Sequence, residues 1–232
     1  MVRRASKVPV IALSAALLVA SGRTPSLAAS IATNGSFENT AGFVPDVNDT
    51  MSLTNGSTVM TGWTVIGDSL AWIGPSNTFL LSAFDGGYFL DLTDYTAGPP
   101  FGGVRQVLNT VAGDTYQVTF DLGSSNRWGG QSGLQASAGS TTASFLSTTT
   151  PGTSTWESES FSFLATGPTT TLSFLGSLGV NYIGLDNISV TDLGGSVTGV
   201  PEPTTWGLMI VGLSLVGVGM RKRQKAIVRY AV

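Results

Sequence analysis

The chain has 232 residues, with 11 Lys or Arg against 14 Asp or Glu for a net charge of −3, and it contains neither Cys nor His. Absence of Cys excludes a disulfide framework, and absence of His excludes imidazole-based triads and most zinc centres. The charge is unevenly placed: residues 30–199 hold 13 acids and only two bases, Arg105 and Arg127, a net of −11. A body this acidic lacks the clustered Lys and Arg that phosphate binding needs, so nucleic acid is excluded as a partner.

At the N-terminus, Arg3, Arg4 and Lys7 precede an apolar stretch from Val8 to Ala20, and small residues follow at Ser26, Ala28 and Ala29. Basic, then apolar, then small is the order of a secretory signal. Residues 1–29 are assigned to it, with cleavage after Ala28 or Ala29. The exported body is large enough to hold itself together by its core alone.

Residues 30–193 are rich in Gly, Ser and Thr and read as one all-β domain. Tyr116 to Leu122 alternates apolar and polar residues with period two, the mark of a half-buried strand. Gly62–Ile66, Tyr88–Leu92, Val104–Leu108, Ser160–Leu164, Thr170–Phe174 and Leu185–Thr191 are further strands. Asn55-Gly56, Asp85-Gly86-Gly87, Ala112-Gly113-Asp114 and Thr166-Gly167-Pro168 are turns between them. Many short strands at this spacing predict a β-sandwich, a jelly roll. Residues 194–199 form a Gly/Ser/Thr linker.

Sugar recognition needs flat aromatic faces beside polar side chains. Trp63, in a strand, is expected in the core. Trp128, in a Gly-rich loop beside Arg127, is the candidate platform, with its alternative role a loop anchor packed on the sandwich. Tyr88, Tyr95 and Arg105 complete the candidate ligand set; one of Tyr88 and Phe89 is expected to face outward. The segment from Thr93 to Gly103 is a candidate cleft wall, and Arg105 has the alternative of pairing with Asp91 or Asp94. Two carboxylate pairs, Asp91 with Asp94 and Glu157 with Glu159, are what a glycosidase would require. Glu157 and Glu159, two apart, are expected to share the solvent face of a strand, and no enzyme is read from either pair.

The last segment starts at Val200-Pro201-Glu202-Pro203. Thr204 to Met220 carries no charge and, at about 1.5 Å per residue, spans roughly 25 Å as a helix, close to a bilayer core. Arg221, Lys222, Arg223 and Lys225 follow, placing the tail 226–232 in the cytoplasm by the positive-inside rule. The expectation is a single transmembrane helix over 204–220. Residues 200–225 resemble the PEP-CTERM sorting signal of Gram-negative bacteria. That resemblance implies that an exosortase reads Pro201, Glu202 and Pro203, and that a membrane-anchored precursor becomes a cell-surface or extracellular protein.

A second resemblance rests on six motifs in order: Asn34-Gly35-Ser36-Phe37-Glu38, Gly62-Trp63-Thr64-Val65, Gly87 to Leu92, Val104-Arg105-Gln106-Val107, Ala112 to Tyr116, and Leu185 to Val190. They are similar to the galactose-binding-like jelly rolls, especially the DUF642-like and choice-of-anchor members. The resemblance implies a carbohydrate-binding-like module and a structural calcium between Glu38 and Asp186, with backbone carbonyls near Asn34 and Ser36 supplying further oxygens. The combined expectation is a non-catalytic exported protein that meets extracellular polysaccharide. The alternatives are an adhesive matrix protein without sugar specificity, whose Ser/Thr-rich stretch Ser137–Ser158 would carry glycans, and a hydrolase using carboxylates alone.

Overall fold

The computed structural model describes residues 29–148, 154–195 and 207–214. They hold eleven strands: β1 (Thr50–Leu53), β2 (Thr64–Gly67), β3 (Leu70–Ile73), β4 (Phe89–Asp91), β5 (Gly102–Asn109), β6 (Asp114–Ser125), β7 (Gly133–Ala138), β8 (Thr141–Leu146), β9 (Ser154–Leu164), β10 (Thr169–Leu178) and β11 (Gly184–Gly195). A six-stranded sheet runs β1-β3-β4-β11-β6-β9 and a five-stranded sheet β2-β5-β10-β7-β8. Every pairing is antiparallel. The seven expected strands all fall on strands of this β-sandwich.

Alternation decides what lies between the sheets. Tyr116, Val118, Phe120 and Leu122 of β6 point inward and meet Val104, Leu134, Ala136, Leu172 and Phe174 from the opposite sheet, all in one buried cluster. Trp63 belongs to this core, as expected, and its indole N–H donates to the Asn34 carbonyl at 2.9 Å. The opening segment is tied down nearby: Ile31 N–H donates to Val190 O, and Ile188 N–H to Gly35 O.

The six-stranded sheet is buried on both faces over β3 and β4, because residues 74–88 fold across its outer surface. Beneath this loop lies a second apolar cluster of Ala71, Ile73, Leu81, Phe89 and Tyr182, with Phe79, Ala83, Tyr95, Trp128 and Trp156 packed against it. This corrects the expectation that Tyr88 or Phe89 faces outward. Phe89 does point away from the main core, but the loop covers it completely, and Tyr88 packs edge-on to Phe43 and near Trp72. Room for the loop's anchor comes from two paired glycines, Gly123 on β6 and Gly184 on β11. A side chain on Gly123 would stand 2.8 Å from the Trp156 ring, and one on Gly184 2.9 Å from it.

Of the expected span 204–220, the described part, 207–214, is helical and exposed. Among the described residues no helix is long and apolar enough to cross a membrane. The signal segment up to Ala28, Pro201 to Pro203 and Arg221 to Arg223 lie outside the described residues.

Candidate functional site

The covering loop is held at five points. Asp49 accepts the Ser76 N–H at 2.7 Å. Trp128 Nε1 donates to Phe79 O at 3.1 Å and Trp156 Nε1 to Ser82 O at 2.9 Å. Asp186 Oδ2 accepts from the N–H groups of Phe84 and Asp85, and Glu38 Oε1 from those of Gly87 and Tyr88. Each bond satisfies a backbone group that the loop, being outside the sheet, cannot satisfy in a ladder.

Glu38 and Asp186 therefore bind opposite ends of one turn, Asp186 at Phe84 and Asp85 and Glu38 at Gly87 and Tyr88. A bulge in β11 after Asp186, with Asn187 at φ 52°, lets Asp186 face the loop while Ile188 returns to the core. Asn187 Nδ2 donates to Asp121 Oδ2 at 2.9 Å and fixes that bulge. Burial pushes the Asp186 carboxyl up to about 7, opposed by its amide bonds and reinforced by the charge of Asp85. A buried acid with a like-charged neighbour is an environment that a cation would relieve. The amide donors occupy the same carboxylates, and among the described residues no group of three or more acids is arranged to hold a metal.

Under the loop is a cavity of about 120 Å³ lined by Phe79, Leu81, Asp91, Tyr95, Trp128 and Asn181. For scale, an apolar cavity of roughly 150 Å³ admits one benzene. Two of the four candidate ligand residues, Trp128 and Tyr95, thus converge here from segments far apart in sequence. Of the two roles weighed for Trp128, the loop anchor is the one its N–H bond makes; its ring also forms a wall of the cavity. The Arg127 guanidinium lies over that ring, 5.1 Å from its centroid. Phe79 meets Trp128 edge-on at 5.7 Å and Tyr95 at 5.1 Å.

The polar wall is Asp91 and Asn181. Asp91 Oδ1 accepts from Ile183 N–H at 2.9 Å and Thr93 N–H at 3.0 Å, and its burial raises its carboxyl to about 6. The Tyr95 hydroxyl is buried and makes no hydrogen bond of good geometry, although Thr50 is a neighbour. Burial above all, then the charges of Asp91, Asp94 and Asp46, hold its proton well above the usual phenol range. The backbone here is strained as well. Leu80, Asp94, Tyr95 and Asn181 have φ of 59°, 47°, 64° and 61°, a left-handed conformation that costs a non-Gly residue about 1–3 kcal/mol. Such strain collects where a fold over-determines a site.

The other candidates lie elsewhere. Tyr88 is in the aromatic packing around Trp72. Of the expected cleft wall, only Tyr95 reaches the cavity, and Phe101 turns into the main core. Arg105 stands on the outer face of the five-stranded sheet and pairs with neither Asp91 nor Asp94; Asp94 accepts instead from Ser52 Oγ at 2.7 Å. Glu157 and Glu159 share one face of β9, but it is the half-buried inward face, opposite Leu122 and Phe120 and in line with Phe161 and Phe163, not the solvent face expected for them; Glu157 Oε1 accepts from Thr148 N–H and Oγ1, and Glu159 is pushed up by burial and by Glu157. Phe79, Leu81 and Asn181 were not legible in the sequence, because only the crossing of the loop over the sheet brings them to Trp128.

Fold and cavity together define a β-sandwich module with an aromatic-walled site beneath a strapped loop. The chain belongs to the family described as DUF642, a protein family of unknown function, whose model matches residues 30–180. The PEP-CTERM protein-sorting motif matches residues 199–224 and marks the protein as exported. No curated protein matches the chain significantly. Among solved structures it is similar to TmCBM61 in complex with beta-1,4-galactotriose, with 15% identity over 70% of this chain and 98% of that one and a TM-score of 0.41. It is also similar to a family 35 carbohydrate binding module from Clostridium thermocellum (8% identity, 60% and 97% covered, TM-score 0.41) and to CBM35 from Paenibacillus barcinonensis (19%, 61% and 98%, TM-score 0.39). Identities and scores this low transfer no ligand to this chain.

Proposed function

We propose that this is an exosortase-sorted protein of the cell surface or extracellular polysaccharide whose β-sandwich binds a sugar, without catalysis, in the cavity walled by Trp128 and Tyr95. The observation that carries this reading is the convergence of an indole, a phenol with an unbonded buried hydroxyl, and the polar side chains of Asp91 and Asn181. Aromatic faces take the C–H side of a sugar ring, and polar groups fix its hydroxyls. Arg127 covers part of the Trp128 face, so ligand entry requires that its guanidinium swing aside. The exported body meets polysaccharide outside the cell, where neither Cys nor His chemistry is required.

A glycan array probed with the full chain in mild detergent tests this. Trp128→Ala should reduce neutral-glycan binding by about tenfold or more, a loss in keeping with a stacking anchor. Equal binding by the variant, or none by the wild type, would leave an adhesive protein without sugar specificity.

A structural calcium belongs to the same proposal. Glu38 and Asp186 would hold it, and its effect would be to neutralise the buried acid and stiffen the 84–88 turn. Calcium at about 100 times its Kd should stabilise the fold by about 2.7 kcal/mol, read as a rise in the unfolding midpoint that chelator reverses. An unchanged midpoint would mean that the amide bonds alone hold the turn.

A further inference from the structure

The point where the chain leaves the sandwich limits which end of it can meet a membrane. β11 ends at Gly195, where it pairs with Asp114 at the start of β6. Residues 196–203 separate Gly195 from the apolar segment that starts at Thr204, and even fully extended they reach at most about 30 Å. The first residue of the body lies in the same half: Ser30 Oγ accepts from Val190 N–H at 3.0 Å. From Asp114, β6 runs the length of the sandwich to Ser125, roughly 35 Å away at ~3.3 Å per residue. Trp128 N–H donates to Ser125 O at that far end, so the tether and the cavity stand at opposite ends.

The tether end is built from the 110–113 turn, the 165–168 corner and the last residues of β11. Gly113 N–H donates to Ala165 O and Thr110 N–H to Pro168 O, and Thr115 pairs with both Leu164 and Gly194. Val111, Leu164 and Leu193 are each 57% exposed here, three aliphatic side chains outside the core. The acids lie away from them. Strands of the five-stranded sheet contain none. Along β6, β9 and β11, only Asp114 and Asp192 stand at the tether end, while Asp121, Glu157, Glu159 and Asp186 are level with Phe120 or beyond it. The acids near the strapped loop adjoin β1, β3 and β4, which join β11 only at its other end, at Gly184 and Leu185.

We infer that this end of the sandwich is a membrane-docking surface. In the anchored precursor it seats Val111, Leu164 and Leu193 at the headgroup boundary of the outer leaflet and stands the domain upright, with the cavity facing away from the lipid. Exposed apolar side chains rimmed by polar ones are what a lipid interface takes up. The acidity of the body sets the orientation. Lying on its side, the domain would press its carboxylates against the lipid phosphates. Standing on its end, it holds Glu159, level with Phe120, about 20 Å above Asp114, well beyond the Debye length of ~8 Å. Asp114 and Asp192 stay near the leaflet, so contact comes from the aliphatic side chains and the tether and not from attraction between charges. The inference rests on the proposed sorting, in which residues 204–220 anchor the precursor.

The chain has no Cys, so a single introduced Cys carries a single fluorescent label. The full chain is reconstituted in vesicles of phosphatidylethanolamine and phosphatidylglycerol, floated, and quenched with lipid spin-labelled near the headgroup. Labels on Val111→Cys and Leu193→Cys should each lose about half their emission or more, as side chains at the headgroup boundary would. A label on Leu146→Cys, exposed at the cavity end beside Gly133, should lose little. Adding Leu164→Glu should cut the quenching of the Val111→Cys label about twofold or more while the chain still floats. Because Leu164 is exposed, the unfolding midpoint of that variant should match the wild type. Floating chains whose Val111→Cys and Leu193→Cys labels are quenched no more than the Leu146→Cys label would overturn the inference and leave the sorting reading standing. Quenching unmoved by Leu164→Glu would mean that the tether alone brings this end close, which also refutes docking. A full chain that does not float would refute the anchored precursor and this inference with it.

Discussion

Gly35→Ala should destabilise the domain by about 3 kcal/mol or more, at the upper end for overpacking. The cause is a backbone approach, not a special dihedral. A Cβ on Gly35 would fall inside the van der Waals contact of the Ile188 carbonyl oxygen. Neither partner can retreat: Gly35 O accepts from Ile188 N–H at 3.0 Å, and Asn34 O accepts from the Trp63 indole. Those contacts join the chain's opening segment to the bulged strand that carries Asp186. Gly56→Ala is the matched control. Gly56 has φ 86° with nothing within 4 Å of a new Cβ, so the left-handed backbone alone should cost about 1 kcal/mol. Denaturant titration of the two variants reads the difference, and equal losses would show that the approach of Gly35 to Ile188 does not constrain the fold.

The domain should also become less stable as the pH rises from about 4 to about 7, with Asp91 contributing about 3 kcal/mol. Asp91 is fully buried, and desolvation outweighs its hydrogen bonds to lift its carboxyl from 3.8 to about 6. Between those values the folded chain keeps a proton that the unfolded chain has released. The stabilisation is therefore complete below pH 3.8 and is lost as the pH passes through 6. Asp91→Asn cannot titrate, so its stability should change less with pH over this window. Urea midpoints of wild type and variant at pH 4.5 and 7.5, subtracted, isolate the group; identical pH profiles would mean that Asp91 is solvated rather than buried.

The strands that could be read in advance were those with one wet face. In β6, Gln117 and Thr119 are exposed between buried Tyr116, Val118 and Phe120, and that contrast is visible as alternation. β3 was not read, because Leu70, Ala71, Trp72 and Ile73 are all buried and carry no alternation. β7 and β8 escaped because Ser and Ala give little contrast in either phase. The site was half legible for a related reason. Trp128 and Tyr95 stand out by residue type, but Phe79, Leu81 and Asn181 enter only because residues 74–88 cross the sheet. That crossing is enforced by bonds from Asp49, Trp128, Trp156, Asp186 and Glu38, which no local pattern encodes. Glu38 and Asp186 were paired by family resemblance; the structure supplies the turn that joins them.

Incorporating fluorotryptophan at the five tryptophans of the full chain and following their fluorine NMR signals gives the most direct view of the cavity. The Trp128 signal is assigned by its loss in Trp128→Phe, and the titrant is a mixture of neutral cello-, galacto- and manno-oligosaccharides. Sugar binding under the strapped loop predicts a saturable shift of the Trp128 signal while Trp63, sealed in the main core, holds still. A Trp128 signal that stays fixed through the titration, whether or not another tryptophan moves, would contradict it.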